Sequence, residues 1–463
     1  MSEQEKREFE LTEYELLEEE EAVAETEEQT EEGDTTGEHH HHHHHRHHSK
    51  AYYKFRRKKH KIKKVFKKHK YLLPILCIVL GTALAVTVIV SVNLQKEKNN
   101  TSAIVTENVS NQDANNDNYV SVVFPSYHEP LLLVDKLVTD YVNDSSVPIL
   151  CDMISGYDET VRLDAEQRVT LSFKIPNRGG NSLTEATVEV ADNAQFNDAQ
   201  IYDVTNSGGS AELKFLLPET VYYYRFSVEL SNGQHITSDG SFETAASPRI
   251  LSLDGVRNCR DIGGWRTNDG KKIKYGLLYR GTEIDGANDK GMKITDLGVA
   301  EAHQYLGIVS DFDLRGLTVD NIAADSAFGA TTKHYVFDAY EYVAVLKPFS
   351  SDYVQKLFSL LADSENYPVY MHCSLGHDRT GTACYLLEAL LGVSDEDLIR
   401  DYELSVLYFR TLNPRELDGD FLAFMQELSK VSGSTTQQKT ENYLLSCGVT
   451  EQQIQQIKDI FLE

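Results

Sequence analysis

His372-Cys373-Ser374-Leu375-Gly376-His377-Asp378-Arg379-Thr380-Gly381 is the stretch from which the rest of this 463-residue chain can be read. The apolar run Pro368-Val369-Tyr370-Met371 leads into it, and Ala383, Leu386, Leu387, Leu390 and Leu391 follow at helical spacing. The pattern predicts a buried strand, a tight loop and a helix N-terminus. A cysteine at that junction faces loop N–H groups and a helix dipole, and both favour thiolate. Six residues on, Arg379 carries the planar fork that holds two oxygens of a phosphate. Five intervening residues suffice to curl around one dianion, with the N–H groups of Ser374, Leu375, Gly376 and His377 turned inward. Gly376 allows a backbone shape that a side chain would hinder, and Thr380 sets a hydroxyl beside the sulfur.

These ten residues resemble the phosphate-binding loop of cysteine-dependent protein tyrosine phosphatases. They are most similar to a bacterial family that pairs such a loop with an upstream Asn-Phe-Arg-Asp-Leu-Gly-Gly segment. Here that segment is Asn258-Cys259-Arg260-Asp261-Ile262-Gly263-Gly264-Trp265, followed in family order by Gly276-Leu277-Leu278-Tyr279-Arg280-Gly281, Asp313-Leu314-Arg315 and Asp401-Tyr402-Glu403-Leu404-Ser405. The resemblance covers residues 248–463. It departs at His377, where the family usually has Lys, and at Cys259, where it has Phe.

The resemblance implies Cys373 as nucleophile and Arg379 as the phosphate clamp, with Ser374, Leu375, Gly376, His377 and Thr380 as substrate-binding positions. His372, Arg260, Asp261 and Asp313 are expected to support the loop. Three carboxylates are open as general acid: Asp338, on the segment after the preceding strand; Asp378, inside the loop; and Asp313, which could instead pin Arg315. His377 in place of Lys weakens a phosphoinositide reading. A Cys259–Cys373 disulfide under oxidation is a further expectation. Neither metal nor cofactor is required, because the guanidinium and loop amides stabilise the anion.

The rest of the chain sets the context. Its net charge of −27 argues against nucleic acid as a partner. Six scattered cysteines without a CxxC pair suggest neither a zinc site nor a disulfide framework. Residues 1–49 are acidic and then His-rich, and read as a disordered tail. Residues 50–70 are strongly basic. Residues 71–92, from Tyr71 to Val92, are apolar and uncharged, long enough at ~1.5 Å per residue to cross a ~30 Å hydrocarbon core. The order reads as a signal anchor at the cell membrane, N-terminus cytoplasmic and catalytic part extracellular. A polar linker, 93–119, precedes a segment, 120–246, of period-two alternation with turns at Gly208-Gly209 and Asn232-Gly233. Its last strands resemble the end of a fibronectin type III domain.

The expected fold is therefore multi-domain: tail, one transmembrane helix, β-sandwich, then an α/β domain with a mainly parallel sheet flanked by helices. The expected function is hydrolysis of phosphate monoesters, most of all protein phosphotyrosine, through a cysteinyl-phosphate. A phosphoinositide or inositol-phosphate phosphatase and a catalytically silent phosphate-binding surface module are the alternatives.

Overall fold

The computed structural model describes residues 107–110 and 120–463, apart from 159, 290, 320–321, 411–414 and 416–418. The tail, basic run and apolar span expected at 1–92 lie outside the described residues. Among the described residues, no helix is long and apolar enough to cross a membrane.

In the N-terminal part, the expected alternation becomes eight strands between 120 and 243. They are β2 (Val120–Phe124), β3 (Val169–Ser172), β4 (Lys174–Arg178), β5 (Leu183–Ala191), β6 (Gln200–Asp203), β7 (Ser210–Leu213), β8 (Val221–Leu230) and β9 (His235–Glu243). One antiparallel sheet runs β6-β5-β8-β9. Along β8, buried and more exposed residues alternate, so Tyr222, Tyr224, Phe226 and Val228 point inward. They meet Val122, Phe124, Leu171 and Val188 in one apolar cluster. Full burial of each such side chain stabilises by about 1.5–3 kcal/mol. The tyrosines serve this core: Tyr224 donates to Pro125 O at 2.6 Å, and the Tyr222 hydroxyl accepts from Leu217 N at 2.8 Å.

Two expectations need correcting here. The linker contains a strand, β1 (Glu107–Ser110), paired antiparallel with β2. An edge strand pairs on one side only, so its sequence need not carry strong alternation. The sandwich is also interrupted between β2 and β3 by two short helices, α1 (Lys136–Asn143) and α2 (Leu150–Ile154). Asp135 caps α1, accepting from Leu137 N at 2.9 Å. Val138, Tyr141 and Leu150 of these helices, with Val134 and Leu163 beside them, pack with Leu404, Val406 and Leu407 of the C-terminal part, outside the sandwich core.

The C-terminal part is built on β10 (Arg260–Asp261), β11 (Leu278–Gly281), β12 (Ser310–Asp313), β13 (Lys333–Val336) and β14 (Val369–His372), in spatial order β10-β11-β14-β12-β13. All pairs are parallel except β10–β11. Ile250 joins this sheet's edge only through an isolated antiparallel bridge to Arg260. Every residue of the central β14 is buried, as a strand covered on both faces must be.

Helices α3 (Asp296–Glu301), α4 (Tyr342–Val345), α5 (Ser351–Leu361), α6 (Asp378–Leu391), α7 (Asp395–Glu403), α8 (Val406–Phe409), α9 (Asp420–Ser429), α10 (Thr436–Ser446) and α11 (Glu451–Phe461) surround the sheet. From Thr380 to Leu391, α6 is buried on all sides, which makes it the axis of this layer. Thr450 opens α11 with a capping box closed by Gln453.

Candidate active site

The ten-residue stretch adopts the strand, loop and helix expected: β14 ends at His372 and α6 begins at Asp378. Between them, Gly376 takes φ +68°, and a Cβ there would meet Gly281 O at 2.2 Å. Only glycine fits that approach. Cys373 is buried, and Arg379 bends back so that Nη2 lies 3.5 Å from Ser374 Oγ. Its Nη1 donates to Leu314 O at 3.1 Å and to the Thr318 hydroxyl at 2.7 Å. Burial opposes a charge on Cys373. The Arg379 guanidinium and the Thr380 hydroxyl and N–H outweigh it and lower the thiol pKa. Two other cysteines of this part behave oppositely: burial pushes both Cys259 and Cys384 up to about 12.

A set of buried ion pairs holds the outer side of the loop. Arg280 donates to Gly376 O at 3.1 Å and to Asp401 Oδ2 at 2.6 Å. Arg260 donates to Asp401 Oδ1 at 3.1 Å and to Asp401 O at 2.8 Å. Asn258 Nδ2 donates to Leu375 O at 3.2 Å and Gly376 O at 3.3 Å. Donors on the carbonyl side leave the amide side free for an anion. Arg260 thus buttresses the loop through Asp401 and Asn258. Asp261 faces elsewhere: it accepts from Gly263 N, Gly276 N and Arg249, and fixes the turn after β10.

Beneath the other edge, Arg315 is bound by Asp313, Asp285 and Glu283 at 2.7–2.9 Å. Glu283 also accepts from Asn288, whose Nδ2 reaches Ser374 Oγ at 3.0 Å. His372 lies 3.1 Å from Asp311. Burial disfavours its charge, yet Asp311 and Asp313 lift its pKa to about 9.

The carboxylates considered as acids are placed differently. Asp313 is engaged with Arg315 and His334, and against burial the His372 charge, with Arg315 and His334, brings its pKa well below the usual range, which is a supporting role. Asp378 accepts from the Tyr342 hydroxyl and pairs with His377 Nδ1 at 2.9 Å. Against burial, His377 and Tyr342 keep it ionised with a pKa of about 2, the wrong state for donating a proton. Asp338 is exposed, its carboxylate oriented toward Gly316.

Sequence reasoning did not single out Glu341. It lies just before α4, with Oε2 3.9 Å from Arg379 Nε. Partial burial raises its carboxyl pKa against the pull of Arg379, with Asp378 adding to the rise. The next residue, Tyr342, sits at φ +51°. Its N–H donates to the Thr382 hydroxyl, and its own hydroxyl reaches Asp378. Strained backbone of this kind costs about 1–3 kcal/mol and persists where surrounding contacts hold it.

His377 does not stand on the exposed rim. It is buried in the wall, paired to Asp378, with its ring 4.9 Å from Tyr402 and 5.4 Å from Phe409. Cys259 packs with Leu251, Val256, Tyr279 and Tyr370, whereas Cys373 belongs to the cluster of Met371, Ala383 and Tyr353. Both are free thiols in this structure.

A buried thiol of lowered pKa beneath a guanidinium, at a strand end opening a helix, defines a site for a phosphate-sized anion. Residues 251–463 match the model of the tyrosine phosphatase family. A Cupriavidus necator protein named as a tyrosine-protein phosphatase is 29% identical over a region covering 33% of this chain and 61% of that protein. A tyrosine-protein phosphatase of Nostoc commune is 28% identical over 22% of this chain and 42% of its own. The chain thus spans less than two thirds of either relative. The core catalytic domain of a PP-IP phosphatase of S. cerevisiae, solved with citrate, matches 37% of this chain and 84% of that one at 16% identity. The TM-score of that match is 0.23.

Proposed function

We propose that this protein hydrolyses phosphate monoesters, chiefly protein phosphotyrosine, from a position outside the cell membrane. The observation that carries the reading is Cys373, a buried thiol whose pKa is lowered by Arg379 and Thr380 at the N-terminus of α6. The Cys373 thiolate attacks phosphorus as the ester P–O bond breaks, and the leaving oxygen takes a proton from Glu341. Water then attacks the thiophosphate, Glu341 accepts its proton, the S–P bond breaks, and inorganic phosphate leaves. Arg379 and the inward amides hold the equatorial oxygens in both steps.

The acidic surroundings support a substrate with one phosphate. Glu341, Asp378 and Asp338 carry carboxylates near this loop, and His377 is already paired to Asp378. A multiply phosphorylated inositol would meet repulsion there. Anchoring and orientation rest on the basic 50–70 run before the apolar 71–92 span. The full chain is to be assayed against a phosphotyrosine peptide, a phosphoserine peptide and phosphatidylinositol phosphates. Highest kcat/KM on phosphotyrosine is expected. Preference for the inositol lipids would overturn the substrate, and no turnover of any ester would leave the silent surface module.

Glu341→Gln should cut turnover of phenyl phosphate by about 10²–10⁴-fold, the usual weight of general acid catalysis. It should cost much less with para-nitrophenyl phosphate, whose leaving group needs no proton. As the acid must be protonated, the wild-type rate should fall as pH rises through the raised Glu341 pKa, and Glu341→Gln should lack that limb. An unchanged profile would return the role to Asp338.

A further inference from the structure

The helical segment between β2 and β3, residues 131–168, reaches the phosphate loop through one buried carboxylate. Asp164, only 4% exposed, takes both oxygens to Arg257: Nε to Oδ2 and Nη2 to Oδ1, each at 2.7 Å. Oδ2 also accepts from Asn258 N at 3.2 Å. Asn258 stands at φ +51°, a shape asparagine tolerates, and its own side chain is aimed at the loop. Its Nδ2 donates to the carbonyls of Leu375 and Gly376 and to Ser405 Oγ, while Oδ1 accepts from Arg260. One residue, Asn258, therefore separates the N-terminal part from the backbone that forms the anion cradle.

The same segment is fastened at several other points. Arg410 donates to Asp158 O at 2.7 Å and also to Val161 O. Arg415 donates to Val147 O and Pro148 O, and Arg400 to Asp144 O. Tyr141 donates to buried Glu403 at 2.8 Å. The Tyr408 ring covers Arg257 at 4.5 Å. These bonds hold the segment onto α7 and onto Arg410 and Arg415 beyond α8, and they do not touch the loop. The Asp164 bonds are different in kind, because Asn258 spends its side chain on the loop carbonyls.

We propose that Asp164 is a positioning residue for the phosphate loop, so that the segment 131–168 completes the anion site instead of spacing it from the membrane. This rests on the reading of Cys373 and Arg379 as a phosphate site. Fixing Asn258 keeps the carbonyls of Leu375 and Gly376 turned outward and their neighbouring amides inward. A sub-ångström drift of that backbone weakens every amide contact to the anion at once.

The test uses the full chain and inorganic phosphate. Iodoacetate alkylation of Cys373 is followed by peptide mass spectrometry, across pH and with increasing phosphate. In the wild type, phosphate should protect Cys373; failure to protect would overturn the phosphate-site reading itself. In Asp164→Ala, the protecting concentration should rise between roughly tenfold and 10²-fold, and the alkylation midpoint should move toward ordinary thiols. Asp164→Asn, which keeps shape and an acceptor, should shift less in the same direction and serves if the alanine variant does not fold. Tyr141→Phe removes a bond of the same interface away from the loop. It should lower the melting temperature while leaving protection and turnover as in the wild type. Wild-type protection in both Asp164 variants would overturn the proposal. So would an equal loss of protection in Tyr141→Phe, which would make the interface as a whole responsible.

Discussion

Cys373→Ser should lower turnover of any good substrate by at least ~10⁴-fold, the scale on which loss of a nucleophile is felt. A serine hydroxyl ionises far above neutrality, and neither Arg379 nor the loop amides can bring it into range. Binding should survive, because the amides and Arg379 are untouched, so the variant should retain substrate and trap it. Arg379→Lys probes the other half of the site. Lysine keeps the charge but not the planar fork, and it cannot span Leu314 O and the Thr318 hydroxyl as Arg379 does. A loss on the order of 10²–10³-fold is expected, with the Cys373 thiol rising toward the ordinary range. Steady-state kinetics with para-nitrophenyl phosphate measure both. A lysine variant with wild-type kcat would mean that the guanidinium holds no transition-state charge.

The second large effect is on stability. Asp401→Ala should destabilise the C-terminal part by about 3–5 kcal/mol, because Arg260 and Arg280 would remain buried without their shared counter-charge. For a region of this size that is a fall in melting temperature of roughly 10 °C. Burial works against the Asp401 charge, but Arg260 and Arg280 depress its pKa. Its stabilising contribution is therefore present above the ordinary carboxylate pKa of about 3.9 and is lost as pH falls through the depressed value. Thermal melts between pH 3 and pH 8 should show this acid limb reduced in Asp401→Asn. Neighbouring Glu388 is buried without a hydrogen-bond partner, and burial together with Asp401 keeps it neutral. Once Asp401 is gone, Glu388 can ionise beside Arg280 and soften the loss. The double variant Asp401→Ala/Glu388→Gln should be the less stable of the two, and equal melting would remove Glu388 from the argument.

What the sequence disclosed, and what it hid, follows from the range of the interactions. The strand–loop–helix around Cys373 is specified within about twenty-five consecutive residues, by an apolar run, a glycine and a helical stripe. The sandwich core was legible for the same reason: along β8, Tyr222, Tyr224, Phe226 and Val228 alternate with polar or half-buried neighbours. β1 was not legible, since an edge strand pairs on one side and its pattern is diluted. The destination of the 131–168 segment was hidden too. Val138 and Tyr141 carry an apolar helical face, but their partners Leu404, Val406 and Leu407 lie more than 250 residues away. Glu341 escaped notice because its meaning depends on proximity to Arg379, which no spacing rule supplies. His377 was read as a substrate-binding position in place of the family's lysine, and its ring folds into the wall against Tyr402 and Phe409.

Catalysis by this site requires a sulfur–phosphorus bond to form at Cys373. Acid quenching of the full chain within milliseconds of mixing with para-nitrophenyl phosphate, followed by peptide mass spectrometry, looks for that bond directly. Phosphate on Cys373, in more than trace amount and absent from Cys373→Ser, is the predicted result. Continued turnover with Cys373 unmodified at every time point, or with phosphate on another residue, would contradict it.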